Sequence, residues 1–340
     1  MATGSVAVVR AGAGGCDGWP ATPGDDVVDV AEFDLSRRWA PGTLPGSDTS
    51  EEETSVPALH TLLTGLVVGE SPRWHEGRLW LSNWGAQEII AVDGAGSSAV
   101  MARVPTTIPF SIDWLPDGRL LIVSGPEARL LRQEPDGALV TYADLSGLAK
   151  GWNEIVVDGR GNTYVNGSDF KFGGGGPFIP GVIALVTPDG LVRQVADDIH
   201  FPNGMVVTPD NKTLIVTESF AARLTAFDIA ADGGLSNRRV WAELGQGGDG
   251  MCLDADGAIW TPAFKDGKPG CVRVREGGEV LQRIELDRFC FACMLGGAER
   301  KTLFMLVAEW RGVEHMDALF RLHTGQVLTA RAPEPHAGWP

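Results

Sequence analysis

The sequence is poor in cysteine, in basic residues and in long apolar runs, and each shortage excludes a class of protein. Its five cysteines (16, 252, 271, 290 and 293) are odd in number and spaced neither for a disulfide framework nor for a structural zinc module. Reduced thiols of a cytoplasmic protein are the expected state. Lys and Arg total 28 against 44 Asp and Glu, a formal charge of −16, which argues against nucleic acid or an anionic membrane as partner. No stretch approaches the roughly 18 consecutive apolar residues of a membrane span. The opening MATGSVAVVRAGAGG lacks the apolar core of a secretory signal. Amphipathic helical stretches of ten residues or more are also missing between the apolar runs, which excludes an α/β fold.

Glycine, by contrast, is abundant at 45 residues. From Leu59 onward, an apolar strand, a tight polar turn and a second apolar strand recur along the chain. The turns read HEGR (75–78), PDGR (116–119), GRGN (159–162), PDNK (209–212), ADGA (255–258) and AERK (298–301). Anchored on Gly77, Gly118, Gly161, Asn211, Gly257 and Arg300, they are spaced by 41, 43, 50, 46 and 43 residues. Further strands such as EIIAVD (88–93) and VIALVTPDG (182–190) fill the intervals, and GQVLTARAP (325–333) is expected as the last outer strand. Six such units built from strands predict an all-β, six-bladed β-propeller over 58–340. Trp74, Trp80, Trp114 and Trp260 fall within the repeats and are expected in the core. Residues 1–57 do not share the pattern. They are rich in Gly, Pro and Asp and carry the acidic run SDTSEEETS (47–55), which predicts an N-terminal extension, partly disordered.

One polar position recurs with the repeat. Glu70 lies seven residues before its turn anchor, while Asn153, Asn203 and Asp249 lie eight before theirs. Repeats place equivalent positions around a common axis, so two carboxylates and two amides should converge at the mouth of the central channel. Phe110 and Ala292 hold the same position in the other two units and give the ring a dry side. Two carboxylates confined together are costly unless a cation compensates them. An all-oxygen donor set suits Ca2+, Mg2+ or Mn2+ better than structural Zn2+, and four protein ligands leave room for water or substrate. Taken singly, Asn203-Gly204 and Asp249-Gly250 are ordinary turn formers, and Glu70 is an ordinary surface acid. Their shared register is what argues for a site. Asp158 and Asp254, directly before their turns, are expected to be structural. Phe110, Trp152, His200, Phe201 and Phe291 are the candidates to line a substrate, and Cys290 and Cys293 are expected beside the channel.

The segments GESPRWHEGRLWLS, WNEIVVDGRGNTYV, FPNGMVVTPDNKTLIVTES, GDGMCLDADGAIW, CFACMLGG and the closing AGWP resemble the SMP-30/gluconolactonase/LRE family, also called regucalcin-like, across 65–340. The resemblance implies a six-bladed propeller holding one divalent metal ion on Glu70, Asn153, Asn203 and Asp249. Ca2+ is the expected ion, with Mg2+, Mn2+ or Zn2+ as alternatives. It further implies hydrolysis of a lactone or ester, with Glu70 and Asp249 as the catalytic acids. The metal would polarise the carbonyl and Asp249 would act as general base toward water. The sequence departs from the family pattern at Ser71, which replaces a Gly, and at Glu154, which replaces an Asp. It departs again at Gly151, where animal members carry a sugar-contacting Arg. Phe110, Trp152 and Phe201 make the mouth more aromatic than a sugar site needs, and FKFGGGGPFIP (170–180) has the length of a lid. The expected partner is a small lactone or ester, acted on by a monomer or small homo-oligomer. A metal-dependent non-hydrolytic tailoring enzyme (cyclisation or isomerisation) and a non-catalytic metal-binding propeller are the competing readings.

Overall fold

The computed structural model describes residues 58–106, 108–170 and 177–338. The extension expected over 1–57, the centre of the 170–180 insertion and the last two residues of AGWP lie outside the described residues. The rest forms six four-stranded antiparallel sheets, one after another along the chain. Blade 1 covers 68–103, blade 2 covers 110–144, blade 3 covers 151–199, blade 4 covers 202–243 and blade 5 covers 252–285. Blade 6 runs over 289–331 and takes a fourth strand from 60–66. The chain is a six-bladed β-propeller.

The inner strands are Val68–His75, Phe110–Trp114, Gly151–Val157, Pro202–Val207, Cys252–Leu253 and Phe289–Gly296. Each is followed by the tight turn read from the sequence. All six turn anchors adopt left-handed backbone, with φ between 56° at Asn211 and Arg300 and 85° at Gly161. That conformation is free of steric cost only for glycine, which is why glycine holds four of the six anchors. All inner strands therefore begin at one end of the channel, the mouth, and turn back at the other.

Blade 6 is completed by a strand that the repeats do not foreshadow. Gly325–Arg331, expected as the last outer strand, lies third like Glu88–Val92 in blade 1, and His60–Leu66 pairs outside it with His60 opposite Thr329. A strand from the start of the described chain thus closes the last blade. Between Thr302–Ala308 and Gly325–Arg331 the chain adds a 3-10 turn, Val313–His315, and a helix, Met316–Leu322, that the repeats do not foreshadow.

The apolar faces of neighbouring blades form the core, in which Trp80, Trp114 and Trp260 are buried. Trp74 is partly buried and stacks on Phe304, their ring centroids 5.5 Å apart. Asp158 accepts the N–H groups of Arg160 and Asn162, and Asp254 binds Arg273 Nε at 2.6 Å, so both hold turns together. A cavity of about 650 Å³ opens between blades 1 and 6, lined by Leu62, Trp74, Arg300 and Phe304. It lies at the turn end, opposite the mouth. Among the described residues no helix is long and apolar enough to cross a membrane.

Candidate active site

The recurring polar position sits where the inner strands lose their regular pairing. In blade 1 the register slips between Glu70 and Arg73, in blade 3 between Trp152 and Ile155, and in blade 4 between Pro202 and Met205. Glu70, Asn153 and Asn203 therefore lie at or within bulges, which re-aim a side chain that regular pleating would fix. Blade 2 has no such slip, and Phe110 pairs regularly with Ser124. Asp249 precedes the short strand Cys252–Leu253 altogether. Ser71, next to Glu70, takes φ 48°, a left-handed conformation that a glycine adopts freely. Its hydroxyl offsets the strain by accepting the Ile112 N–H at 3.0 Å.

Side chains of each preceding blade hold the backbone of this ring. Ser111 Oγ donates to the Asn153 carbonyl at 2.6 Å, Asn166 Nδ2 to the Asn203 carbonyl at 2.6 Å, and Thr217 Oγ1 to the Asp249 carbonyl at 3.0 Å. The glycines of Asn203-Gly204 and Asp249-Gly250 have a related purpose. A Cβ on Gly204 would lie 2.7 Å from the Asp249 carbonyl oxygen, and one on Gly250 would lie 2.5 Å from Ala292 Cβ. These glycines allow blades to approach at the channel. Neither is a hairpin turn.

Three of the four side chains are linked in a row, and the fourth interacts with them through charge. Asn153 Nδ2 reaches Asn203 Oδ1 at 3.5 Å, and the Asn203 amide in turn donates to the Asp249 carboxylate. Glu70 feels the charge of Asp249. Burial pushes the Glu70 carboxyl well above the usual carboxylate range, and the charges of Asp249 and Glu154 add to the rise. The Ser71 N–H and Arg73 only partly offset it. Asp249 is likewise raised well above its usual value, by burial first and by Glu154 second. Among the described residues, Arg73 supplies positive charge to Glu70 but does not outweigh burial and the neighbouring acids.

The sequence marks Glu154 only as a departure from the family pattern, where it replaces an Asp. The structure places it, buried, in the same charged layer. Arg73 Nη2 lies 3.6 Å from Glu154 and donates to the Ile155 carbonyl at 2.6 Å, while Arg73 Nε lies 3.9 Å from the buried Asp113. Burial raises both Glu154 and Asp113, with Arg73 opposing the shift in each. One arginine is therefore shared among the acids beneath the ring. Among the described residues no three His, Cys, Asp or Glu are grouped to hold a metal ion. The donors that converge are two carboxylates and two amides, a hard oxygen set that fits Ca2+, Mg2+ or Mn2+.

The substrate-lining candidates divide into two groups. Phe110 and Trp152 have no exposed surface. Each packs in a blade core, and Trp152 Nε1 donates to the Ala149 carbonyl at 3.1 Å. Cys290 and Cys293 are also core residues, packed with Cys252 and Cys271. His200, Phe201 and Phe291 lie at the mouth. Phe201 stacks on Phe220 at 4.4 Å, with Phe170 edge-on to both and Phe178 against Phe170 and His200. Phe291 belongs to a second cluster with Phe289 at 4.6 Å, while Phe264 and Trp310 pack on Phe289. Most of these partners come from connections, where no strand period marks them.

The frog Xenopus laevis has a regucalcin that is 28% identical over 292 residues, a match covering 80% of this chain and 95% of that protein. Other curated regucalcins match over about half of their own length, 48% for that of Danio rerio. Among solved structures, a calcium-binding regucalcin from Agrobacterium tumefaciens superposes with TM-score 0.63 at 21% identity, covering 83% of this chain and 97% of that one. A gluconolactonase from Xanthomonas campestris superposes with TM-score 0.64 at 21% identity, covering 82% and 90%. At these identities the superpositions show a common fold. The profile of the SMP-30/Gluconolactonase/LRE-like region matches residues 68–309, and the chain belongs to that family.

Proposed function

We propose that the protein is a divalent-metal-dependent hydrolase of a lactone or ester, with Glu70, Asn153, Asn203 and Asp249 as the metal-holding residues. One observation carries the reading. The buried Glu70 and the half-buried Asp249 are both raised by desolvation and by neighbouring acids, with the Asn153 and Asn203 amides in contact beside them and Arg73 shared among the acids below. A dication is the ligand that such a set stabilises. The gluconolactonase among its structural relatives supports the lactonase reading, and the calcium-binding regucalcin supports Ca2+ as the ion.

When bound, the ion supplies Lewis-acid polarisation of the substrate carbonyl. Asp249 accepts the proton of the attacking water as the water oxygen bonds to the carbonyl carbon. It returns that proton to the leaving alkoxide when the ring C–O bond breaks. Asn203 donates to Asp249 and orients its carboxylate. The Thr217, Ser111 and Asn166 side chains hold the backbone, so the donors need little reorganisation.

Chelator-stripped protein assayed on aldonolactones, aryl esters and macrolactones with added Ca2+, Mn2+ or Zn2+ tests the reading. Turnover that appears with metal and disappears with chelator is expected. Bound metal without metal-dependent turnover of any of these substrates would refute it.

A further inference from the structure

We propose that the substrate of this site carries an aromatic ring or a comparably flat apolar group, which the aromatic residues of the mouth bind, and that it is not a polyhydroxylated sugar lactone. The proposal rests on the hydrolase reading above and names its substrate class.

Aromatic residues are distributed unequally between the two ends of the blades. At the turn end, Trp80 and Trp114 are buried and pack edge-to-face with centroids 5.2 Å apart. At the mouth, Phe170, Phe178, Phe201 and Phe220 lie on connections, Phe289 and Phe291 at the start of an inner strand, and Phe264 near the end of Ile259–Lys265. Phe170, Phe178, Phe201, Phe220, Phe264 and Phe289 are each half-buried. Aromatic surface left open in contiguous clusters on one face marks a binding surface more often than chance packing. These clusters adjoin the ring of donors. Phe201 is two residues from Asn203, and Phe291 is next to Ala292, the apolar member of the ring.

Phe201 adds a second observation. It has φ 58° and immediately precedes Pro202. A bulky residue in the left-handed region is strained, and the following proline restricts it further. Such strain persists only where the surroundings enforce it, and it concentrates at binding sites. Here it holds the Phe201 ring parallel to Phe220, at an interplanar angle of 8°.

The chemistry of the two substrate classes separates at such a wall. A sugar lactone would bring hydroxyls against aromatic faces that offer them no hydrogen bond, and desolvated hydroxyls without partners bind poorly. Two positions beside the ring offer a sugar little. Ser219 Oγ donates to the Gly248 carbonyl at 2.7 Å, and Gly151 brings no side chain. An aromatic substituent would gain stacking and edge contacts from the same surface.

The test compares three lactones of one ring size: δ-valerolactone, its phenyl-substituted derivative and glucono-1,5-lactone. Each is assayed with metal-loaded protein, and binding of a phenyl-substituted lactam, which the enzyme cannot open readily, is measured by calorimetry. The phenyl lactone should have a kcat/KM at least about 100-fold above that of the sugar lactone. Phe220→Leu should lower the phenyl-to-unsubstituted ratio at least about fivefold and weaken lactam binding. A sugar lactone turned over as well as the phenyl lactone overturns the substrate class and leaves the hydrolase reading intact. No turnover of any lactone, with lactam binding still dependent on Phe220, refutes hydrolysis but upholds the aromatic wall. Neither turnover nor lactam binding overturns both.

Discussion

Two buried acidic centres lie near the mouth, and they are built in opposite ways. Glu218 has a fully buried side chain and accepts hydrogen bonds from Arg223 Nε at 3.0 Å, Arg238 Nη2 at 3.1 Å and the His200 N–H at 2.8 Å, together with the Thr225 hydroxyl. Burial alone would raise its pKa, but the Arg223, His200 and Thr225 hydrogen bonds outweigh burial and hold it below the usual range. Glu70 and Asp249 are shifted the other way, because burial and neighbouring acids outweigh the few donors they have. The contrast separates a carboxylate that completes the fold from a pair that waits for external positive charge. Burial is common to both, so the donor supply is what distinguishes function from structure.

The largest effect should come from neutralising one member of each centre. Asp249→Asn should lower kcat/KM by at least about 1,000-fold, since it removes both a metal donor and the general base. It should leave the metal-free protein as stable as wild type or more so, because a buried uncompensated charge is gone. Glu218→Gln should do the reverse. Activity on the preferred lactone should stay within about threefold, while unfolding free energy falls by about 2–4 kcal/mol, somewhat under the full cost of breaking a buried pair because both arginines are partly exposed. Steady-state kinetics and urea unfolding of the two variants check this directly. Equal losses of stability in both would erase the distinction.

A smaller effect follows from acid. The Glu218 pKa is depressed in the folded state relative to its ordinary 4.5. Its contribution to stability is therefore complete above about pH 4.5 and is lost as pH falls through the folded value. Urea unfolding between pH 6 and pH 3 should show a steeper decline for wild type than for Glu218→Gln. Parallel curves would mean that the arginine cluster does not hold the carboxylate as described.

The smallest effect concerns Ser71. Replacement by glycine relieves a left-handed φ of 48° but loses the hydroxyl that accepts the Ile112 N–H and bonds the Glu154 carboxylate. The two nearly cancel, so Ser71→Gly should change stability by less than about 1 kcal/mol and activity only modestly. A loss comparable to that of Asp249→Asn would make the Ser71 hydroxyl part of the chemistry.

The propeller was legible because its turns are local. A left-handed anchor demands Gly or Asn at a fixed place after each inner strand, and that demand repeats visibly in Gly77, Gly118, Gly161, Asn211 and Gly257. The register of Glu70, Asn153, Asn203 and Asp249 was legible for the same reason, and in the structure Asn153 contacts Asn203, Asn203 bonds Asp249, and the Asp249 charge acts on Glu70. The closing strand was not. His60–Leu66 is mostly exposed or half-exposed, and its partner Gly325–Arg331 is far along the chain. A weak edge strand bears no mark of where it pairs. Glu154 was passed over because its meaning depends on Arg73 and Ser71, contributed by another blade. Trp152 misled in the other direction. Its place beside Asn153 suggested a lining residue, but the strand turns its ring into the blade 2–3 core.

The central claim is that the ring of Glu70, Asn153, Asn203 and Asp249 binds one divalent cation. Isothermal titration of Ca2+, and separately of Mn2+, into chelator-stripped protein tests it most directly. The account predicts one saturable site per chain in wild type and in Glu218→Gln, lost or weakened at least about 100-fold in Glu70→Gln and Asp249→Asn. Binding that survives both ligand substitutions, or no saturable binding in the wild type, would contradict it.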